Sequence, residues 1–182
     1  MTGYGCDVVV PRVIDYKGQR VGVFVDVQNM YYSAKHLYGK KANFANMLRT
    51  ARGERTLIRA LAYVIRAESM QEEKFFQALE AIGFEIKAKD LQIFAGGAKK
   101  GDWDIGIAMD AIETAPKLDV VVLISGDGDF VPLLEHLRRA MGCKVEVMAF
   151  GRSASGKLKE TADVFIDLDQ NERKYLIERE AV

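Results

Sequence analysis

Cysteine and histidine are scarce in this chain of 182 residues, which contains two of each. Cys6 and Cys143 lie far apart and lack the spacing of a metal or redox motif. With His36 and His136 they do not complete a zinc-binding set on any usual pattern. The sequence therefore argues against a structural zinc site, and it indicates a reduced protein that we expect in the cytoplasm.

The chain also lacks a net charge and a long apolar run. Its 26 basic residues balance 26 acidic ones, so any site for a polyanion has to be a local patch. No apolar run approaches the roughly 20 residues that a membrane-spanning helix needs. The first residues have no basic segment ahead of an apolar core, so we expect neither export nor a membrane partner.

What the chain does contain is the composition of an ordinary soluble domain, 49% hydrophobic and 29% charged. Apolar, strand-like runs alternate with helical patterns, which predicts an α/β fold: a three-layer sandwich with a mostly parallel central sheet. We assign this domain to residues 21–168, after an N-terminal extension over residues 1–20. Residues 169–182 are rich in charge, and we expect them to form a solvated helix.

Two apolar runs each end in an aspartate. Val120–Ile124 is followed by a Gly-Asp-Gly-Asp turn, in which we expect Asp129 to cap the next helix and leave Asp127 at the end of the strand. The run before Asp26 has the same build, and Asn29 lies one helical turn beyond it. Parallel strands end at one edge of a sheet, where such folds place their sites. The sequence therefore predicts two carboxylates facing one crevice.

A predicted helix over residues 104–117 adds a third carboxylate. Asp104 lies in its first turn and on the face that we expect to be buried, whereas Asp110 falls nearly opposite and is interpreted as structural. That apolar face carries Ile105, Ala108, Ala111, Ile112 and Ala115.

Carboxylates in such a group repel one another. At about 4 Å and an effective dielectric constant near 20, each pair costs on the order of 4 kcal/mol. A divalent cation relieves the repulsion, and Mg²⁺ or Mn²⁺ suits carboxylate and water ligands. Such an ion activates water and stabilises the charge that develops on a phosphodiester. Nearby phosphates have candidate cationic partners in Lys99, Lys100, Arg152 and Lys157.

Three separated motifs resemble one known family. They are Phe24–Asn29, Lys100–Asp104 and Ser125–Phe130. Together they are similar to the NYN domain family, in particular its LabA-like branch within the PIN-like nucleases, over about residues 20–168. One departure is Gln28, where many relatives carry Glu or Gly, and a weaker metal site would follow from it.

The resemblance implies a PIN-like (Rossmann-like) topology and a metal-dependent ribonuclease that acts on RNA. Its implied metal ligands are Asp26, Asp104, Asp127 and Asp129, with Asn29 assisting in catalysis. A homodimer is a further possibility, because many small nucleases pair to span a substrate.

Other interpretations stay open. Each aspartate singly could be an ordinary cap or turn residue. The whole protein could be a non-catalytic RNA-binding or regulatory scaffold with a weak metal site. A phosphatase of the haloacid-dehalogenase type fits less well. The resemblance to that type would require an Asp-x-Asp motif after the first strand, and the third position of the motif is Gln28 here.

Overall fold

The computed structural model describes residues 17–66, 70–90, 92–93, 99–100 and 102–177. Most of the predicted N-terminal extension, residues 1–16, lies outside this part. In chain order the strands and helices are β1 Arg20–Asp26, α1 Val27–Tyr38, β2 Lys41–Ala42, α2 Phe44–Arg52, β3 Thr56–Arg66, α3 Met70–Ile82, β4 Glu85–Asp90, β5 Gln92–Ile93, β6 Lys99–Lys100, α4 Asp104–Thr114, β7 Val120–Ile124, α5 Val131–Arg139, β8 Lys144–Ala149, α6 Gly156–Thr161, β9 Val164–Asp167, α7 Glu172–Tyr175 and β10 Leu176–Ile177.

The central sheet has six strands in the order β4-β3-β1-β7-β8-β9, and every neighbouring pair is parallel. From β1 the chain builds outward through β3 to β4, and it then returns to the other side of β1 as β7, β8 and β9. The order therefore reverses between β1 and β7, which is a topological switch point. Helices cover both faces, so the predicted α/β sandwich with a parallel sheet is confirmed.

Alternate residues of each central strand enter two hydrophobic cores. Val23 and Val25 of β1 face the core that α1, α2 and α3 share, whereas Phe24 faces the core under α4, α5 and α6. A strand whose side chains are buried on both faces reads as a continuous apolar run, which is why β1 and β7 were visible in the sequence. Packing from both sides fixes where these two strands end, and hence where their terminal carboxylates lie.

The C-terminal segment departs from the solvated helix that we expected. Within the described residues its helix spans only Glu172–Tyr175, and β10 then pairs antiparallel with β2. Tyr175 and Leu176 are buried at 5% and 6% exposure in the first core. Burial of these two apolar side chains therefore outweighs the helical preference of the charged residues around them.

The segment before α4 forms a small sheet of its own. In it β5 and β6 pair antiparallel with each other, apart from the central sheet. Leu91 and Phe94 lie outside the described residues.

Among the described helices, none is long and apolar enough to cross a membrane.

A buried ion pair lies inside the first core. Arg55 and Glu146 are each 3% exposed, and the guanidinium donates two hydrogen bonds of 2.9 and 3.0 Å to the carboxylate. Arg55 also donates to the carbonyl groups of Ala51 and Arg52, and Lys144 lies 2.8 Å from Glu146. The pair thus ties the end of α2 to β8 across the sheet.

Removing one partner of this pair should destabilise the fold strongly. We expect Glu146→Leu to lower the free energy of unfolding by about 3–5 kcal/mol, because it removes the carboxylate that accepts two hydrogen bonds from a buried guanidinium. Urea denaturation of the purified protein measures this. The matched control is Glu85→Gln in the exposed Arg59–Glu85 pair, with side chains 37% and 52% exposed, where about 0–1 kcal/mol is expected. Equal losses in the two variants would contradict the proposed role.

Candidate metal centre at the switch point

The carboxyl ends of β1 and β7 lie side by side beneath a cavity of about 460 Å³. Asp26 ends β1, Asp127 follows β7, and Asp104 begins α4. These three residues and Asn29 all line the cavity. The fold therefore brings together, at one edge of the sheet, carboxylates that lie up to a hundred residues apart in the chain.

Asp26 and Asn29 connect the two strand ends. Asp26 caps α1, since its Oδ1 accepts the Asn29 N–H at 3.0 Å, and its Oδ2 lies 3.5 Å from the Ser125 hydroxyl. The side-chain oxygen of Asn29 accepts the Gly126 N–H at 3.0 Å. Asp26 therefore caps α1 and lines the cavity at the same time, so its capping role does not exclude it from the site.

The turn after β7 is arranged differently from our expectation. Asp127, and not Asp129, is the capping residue: its Oδ1 accepts the Asp129 N–H at 3.0 Å. A 3₁₀ turn over Gly128–Phe130 precedes α5, which begins at Val131. The extended backbone of Asp127 turns its carboxylate back over the amide two residues ahead, as in an Asx turn. Asp129 is left exposed.

Three carboxylates converge within ligand-sharing distance. One oxygen from each of Asp104, Asp127 and Asp129 lies within 4.8 Å of the others. Asp26 lies beside this group and is not a member of it. The tightest trio thus contains Asp129 in place of the strand-ending Asp26.

Burial and neighbouring charge act together on these acids. Burial is the main cause that raises the pKa of Asp26 to about 6. The hydrogen bond from the Asn29 N–H lowers this pKa, and the negative charges of Asp104 and Asp127 raise it. The pKa of Asp104 is also raised, first by burial and then by Asp127, Asp102 and Asp129. In this site the ionised form of both carboxyl groups is unfavourable, and a cation bound between them would stabilise that form.

Trp103 sets the orientation of α4. Its ring packs edge-on against Tyr63 at 5.2 Å between centroids, and its Nε1 donates to the Val64 carbonyl at 2.8 Å. A Cβ on Gly106 would lie 2.5 Å from the indole, so only glycine lets the ring lie against the helix. This close contact holds Asp104, the first residue of the helix, towards the cavity.

The buried face of α4 differs from the predicted arc. Ile107 and Ala111 are buried, whereas Ile105 is 76% exposed. The packing of the Trp103 indole fixes the rotation of α4. The apolar periodicity of the helix does not reveal this contact, so the predicted buried face wrongly included Ile105. Asp110 is structural as expected, since it accepts the Tyr63 hydroxyl at 2.9 Å and lies 3.6 Å from Lys87.

A second loop fixes the glycine-rich turn. The Ser155 N–H donates to the Gly126 carbonyl at 3.0 Å, and a Cβ on Gly126 would lie 3.1 Å from the Ala154 Cα. This loop is anchored in turn by Asp167, which accepts the Gly151 N–H at 2.9 Å. The glycines of the turn were visible in the sequence, but the loop that requires them was not.

The predicted cationic residues are placed unequally. Arg152 lies 4.6 Å over the Tyr38 ring and within 3.5 Å of Asp169 and 3.7 Å of Glu172, so acidic neighbours already compensate its charge. Lys157 is exposed on α6. The side chains of Lys99 and Lys100 lie outside the described part of the structure.

Sequence analysis did not assign Lys89, Ser33 or His36 to the site. Lys89, on β4, lies 4.1 Å over the ring of Trp103, which lines the cavity. Helix α1 lines the cavity with Tyr32, Ser33 and His36. Their spacing from Asn29 follows the helical repeat, which is the sequence signal that would have identified them.

The protein is an α/β protein whose parallel sheet gathers carboxylates at its switch point. The family model of the NYN domain matches residues 20–169, and the chain belongs to this family. The resemblance drawn from the three motifs is therefore confirmed, and the NYN domain is a nuclease-type domain.

Two individual proteins are similar over most of their length. The crystal structure of a protein of unknown function from Vibrio parahaemolyticus superposes with a TM-score of 0.82 at 34% identity, covering 90% of this chain and 99% of the other. Low amplitude and bright protein LabA of Synechococcus elongatus is 27% identical over 165 residues, or 85% of this chain and 86% of LabA.

The donor set fits a hard divalent cation. All of its ligand atoms are carboxylate oxygens. Hard ions such as Mg²⁺ and Mn²⁺ bind oxygen ligands, whereas softer metals select sulfur and nitrogen ligands. Asp104, Asp127 and Asp129 would hold such an ion, since one oxygen of each lies within 4.8 Å of the others.

Metal titration tests the trio. We expect the protein to bind Mn²⁺ in calorimetry, and Asp104→Asn to weaken binding at least about ten-fold, since it replaces a charged ligand. Glu113→Gln is the control, because it makes the same change of charge on the exposed part of the same helix. The metal site would be refuted by equal affinities in the three proteins.

Asp26 should make stability depend on pH when divalent ions are removed. Its pKa rises from 3.8 to about 6 on folding, so the folded state binds more protons between those values and its stability falls as pH increases through them. We expect wild type to lose at most about 3 kcal/mol relative to Asp26→Asn between pH 4 and 7. Urea denaturation in EDTA at several pH values measures the difference, and a constant difference would contradict this assignment.

Proposed function

We propose that the protein is a Mg²⁺- or Mn²⁺-dependent ribonuclease that hydrolyses phosphodiester bonds of RNA. The observation that carries this proposal is the convergence of Asp104, Asp127 and Asp129 at the switch point of a nuclease-type fold, where Asp104 and Asp127 line the cavity. RNA is the substrate that the family implies, and the cavity is wide enough to admit a nucleotide.

The four aspartates have two different roles in this proposal: three are metal ligands and Asp26 is a proton acceptor. Asp104, Asp127 and Asp129 would hold the ion, which when bound supplies an activated water and stabilises the charge on the scissile phosphate. Asp26, with a pKa of about 6, stands beside them as a group able to accept a proton near neutral pH.

Asn29 is suited to orient the substrate. Its side-chain oxygen is engaged by the Gly126 N–H, which fixes the amide in one orientation. No acceptor among the described residues takes a hydrogen bond from its Nδ2, so this group remains to donate to a phosphate oxygen in the cavity. Lys89 at the rim and the exposed Lys157 are the described cations best placed to contact further phosphates.

Cleavage of mixed RNAs with Mn²⁺ tests the activity. We expect Asp127→Asn to lower the rate at least about a hundred-fold, because loss of a ligand removes several kcal/mol of transition-state stabilisation. Glu113→Gln again serves as the control for a lost negative charge. Equal rates in all three proteins, unchanged by EDTA, would reject the proposal.

A non-catalytic RNA-binding scaffold is the second candidate. Two observations favour it: Gln28 lines the cavity at the position where many relatives carry Glu or Gly, and Asp129 is exposed. Calorimetry separates the two functions, because a scaffold binds RNA at equal affinity with and without Mg²⁺. The phosphatase is the weaker alternative, since Gln28 lines the cavity at the position where that type of enzyme needs a second aspartate. The cytoplasmic location and the homodimer stay predictions.

A further inference from the structure

Helix α1 presents a stripe of side chains to the cavity. Asn29, Tyr32, Ser33 and His36 lie at positions i, i+3, i+4 and i+7 of the helix, on one face, and all line the cavity. The stripe begins next to Asp26, which caps the first turn of α1, and it continues along one wall of the cavity away from that carboxylate. A substrate held at the acids by a phosphate would lay its next atoms along this wall.

Tyr32 is the unusual member of the stripe. Its side chain is 49% exposed although it borders a cavity, and it belongs to neither hydrophobic core. The neighbouring Tyr31 ring lies 5.4 Å away at 76°, so Tyr31 does not stack on it. An aromatic ring that contributes nothing to the core and stands open to a cleft is available to a ligand.

The other aromatic residue of the cavity is not available in this way. Trp103 packs on Tyr63, bonds the Val64 carbonyl through Nε1 and carries the Lys89 ammonium 4.1 Å over its ring. Its contacts are thus used to position α4 and to hold a cation. Tyr32 is left as the aromatic surface of the described cavity that a planar ligand can reach.

The ligand that joins a phosphate to a planar ring is a nucleotide. Bases in a duplex are covered on both faces by their neighbours, so only an unpaired base offers a face to a tyrosine. Polar groups also lie beside Tyr32: the Ser33 and Ser153 hydroxyls are 3.1 Å apart, and His36 is one turn further along. They suit the ribose and phosphate of the same strand.

We propose that Tyr32 stacks an unpaired nucleobase next to the phosphate at the acidic centre, and so makes the site selective for single-stranded over duplex RNA. This inference rests on the proposed function in that it places the substrate's phosphate at the acids. It concerns binding, and it can be tested without any hydrolysis.

Binding of a short, fluorescently labelled RNA of mixed sequence tests the inference, with Ca²⁺ in place of Mg²⁺ to fill the acidic centre. Fluorescence anisotropy should show that Tyr32→Ala binds the single strand about five-fold to a hundred-fold more weakly than wild type, the range for loss of one base–aromatic stack. Tyr32→Trp should retain the affinity. The duplex form should bind wild type more weakly, and Tyr32→Ala should not weaken it further.

Tyr31→Ala is the matched control. It removes an adjacent tyrosine that is 42% exposed and does not line the cavity. We expect it to bind as wild type does. An RNA with abasic nucleotides supplies the second control: the difference between wild type and Tyr32→Ala should disappear on it, because there is no base to stack. Both variants should unfold at the same temperature as wild type.

Several results would overturn the inference. They are absence of binding to wild type, equal losses for Tyr31→Ala and Tyr32→Ala, or an undiminished effect of Tyr32→Ala on abasic RNA. If Asp127→Asn cleaves as wild type does while the Tyr32 effect stands, hydrolysis fails and the base site survives. If cleavage depends on Asp127 while Tyr32→Ala binds normally, only the base site fails.

Discussion

The parallel pairing of β1 with β7 is the constraint on which the site depends. Val25 lies opposite Ile124 in this pair, so the residues that follow the two strands leave the sheet at the same height. The hydrogen bond from the Gly126 N–H to the Asn29 side chain then holds the two exits together. Of the described helices, α1 leaves β1 on the way to β3 and α5 leaves β7 on the way to β8, so the chain diverges in opposite directions from the gap between the two exits. An open crevice with carboxylates on both sides follows from the topology itself.

That crevice carries a cost which the rest of the fold offsets. Burial and mutual repulsion raise the pKa of Asp26 and of Asp104, so the folded apo-protein holds its acids in an unfavourable arrangement. The two cores, buried on both faces of β1 and β7, supply the stability that keeps the strand ends where they are. Backbone contacts then limit local relaxation: Trp103 fixes α4, and the loop at Ala154 and Ser155 fixes the glycine turn. Strain of this kind is what a cation would relieve, which links the architecture to metal binding.

The central strands and their carboxylates could be predicted from the sequence because both signals are local. A strand buried on two faces is apolar throughout, and the residue at its end is next in the chain. The rotation of α4 could not, because Ile105 and Ile107 are equally apolar and only the docking of Trp103 decides which is buried. The capping role of Asp127 was missed for a similar reason: either aspartate of the turn has the right chemistry, and the choice depends on the backbone angles of Asp127. The buried end of the tail was missed because the apolar run Tyr175–Ile177 is only three residues long within a charged segment.

Helix α1 combines two functions that usually compete. Its first turn is held by Asp26, so the same carboxylate that caps the helix also stands beside the metal-ligand trio. One face of the helix is committed to the core through Met30 and Ala34, and the opposite stripe is polar and open. Since the buried face anchors the helix on the sheet and Asn29 bonds to Gly126, the stripe residues beyond Asn29, namely Tyr32, Ser33 and His36, can change without loss of the fold. Substrate selectivity in this architecture can therefore vary along α1 while the acids, which the sheet topology positions, stay in place.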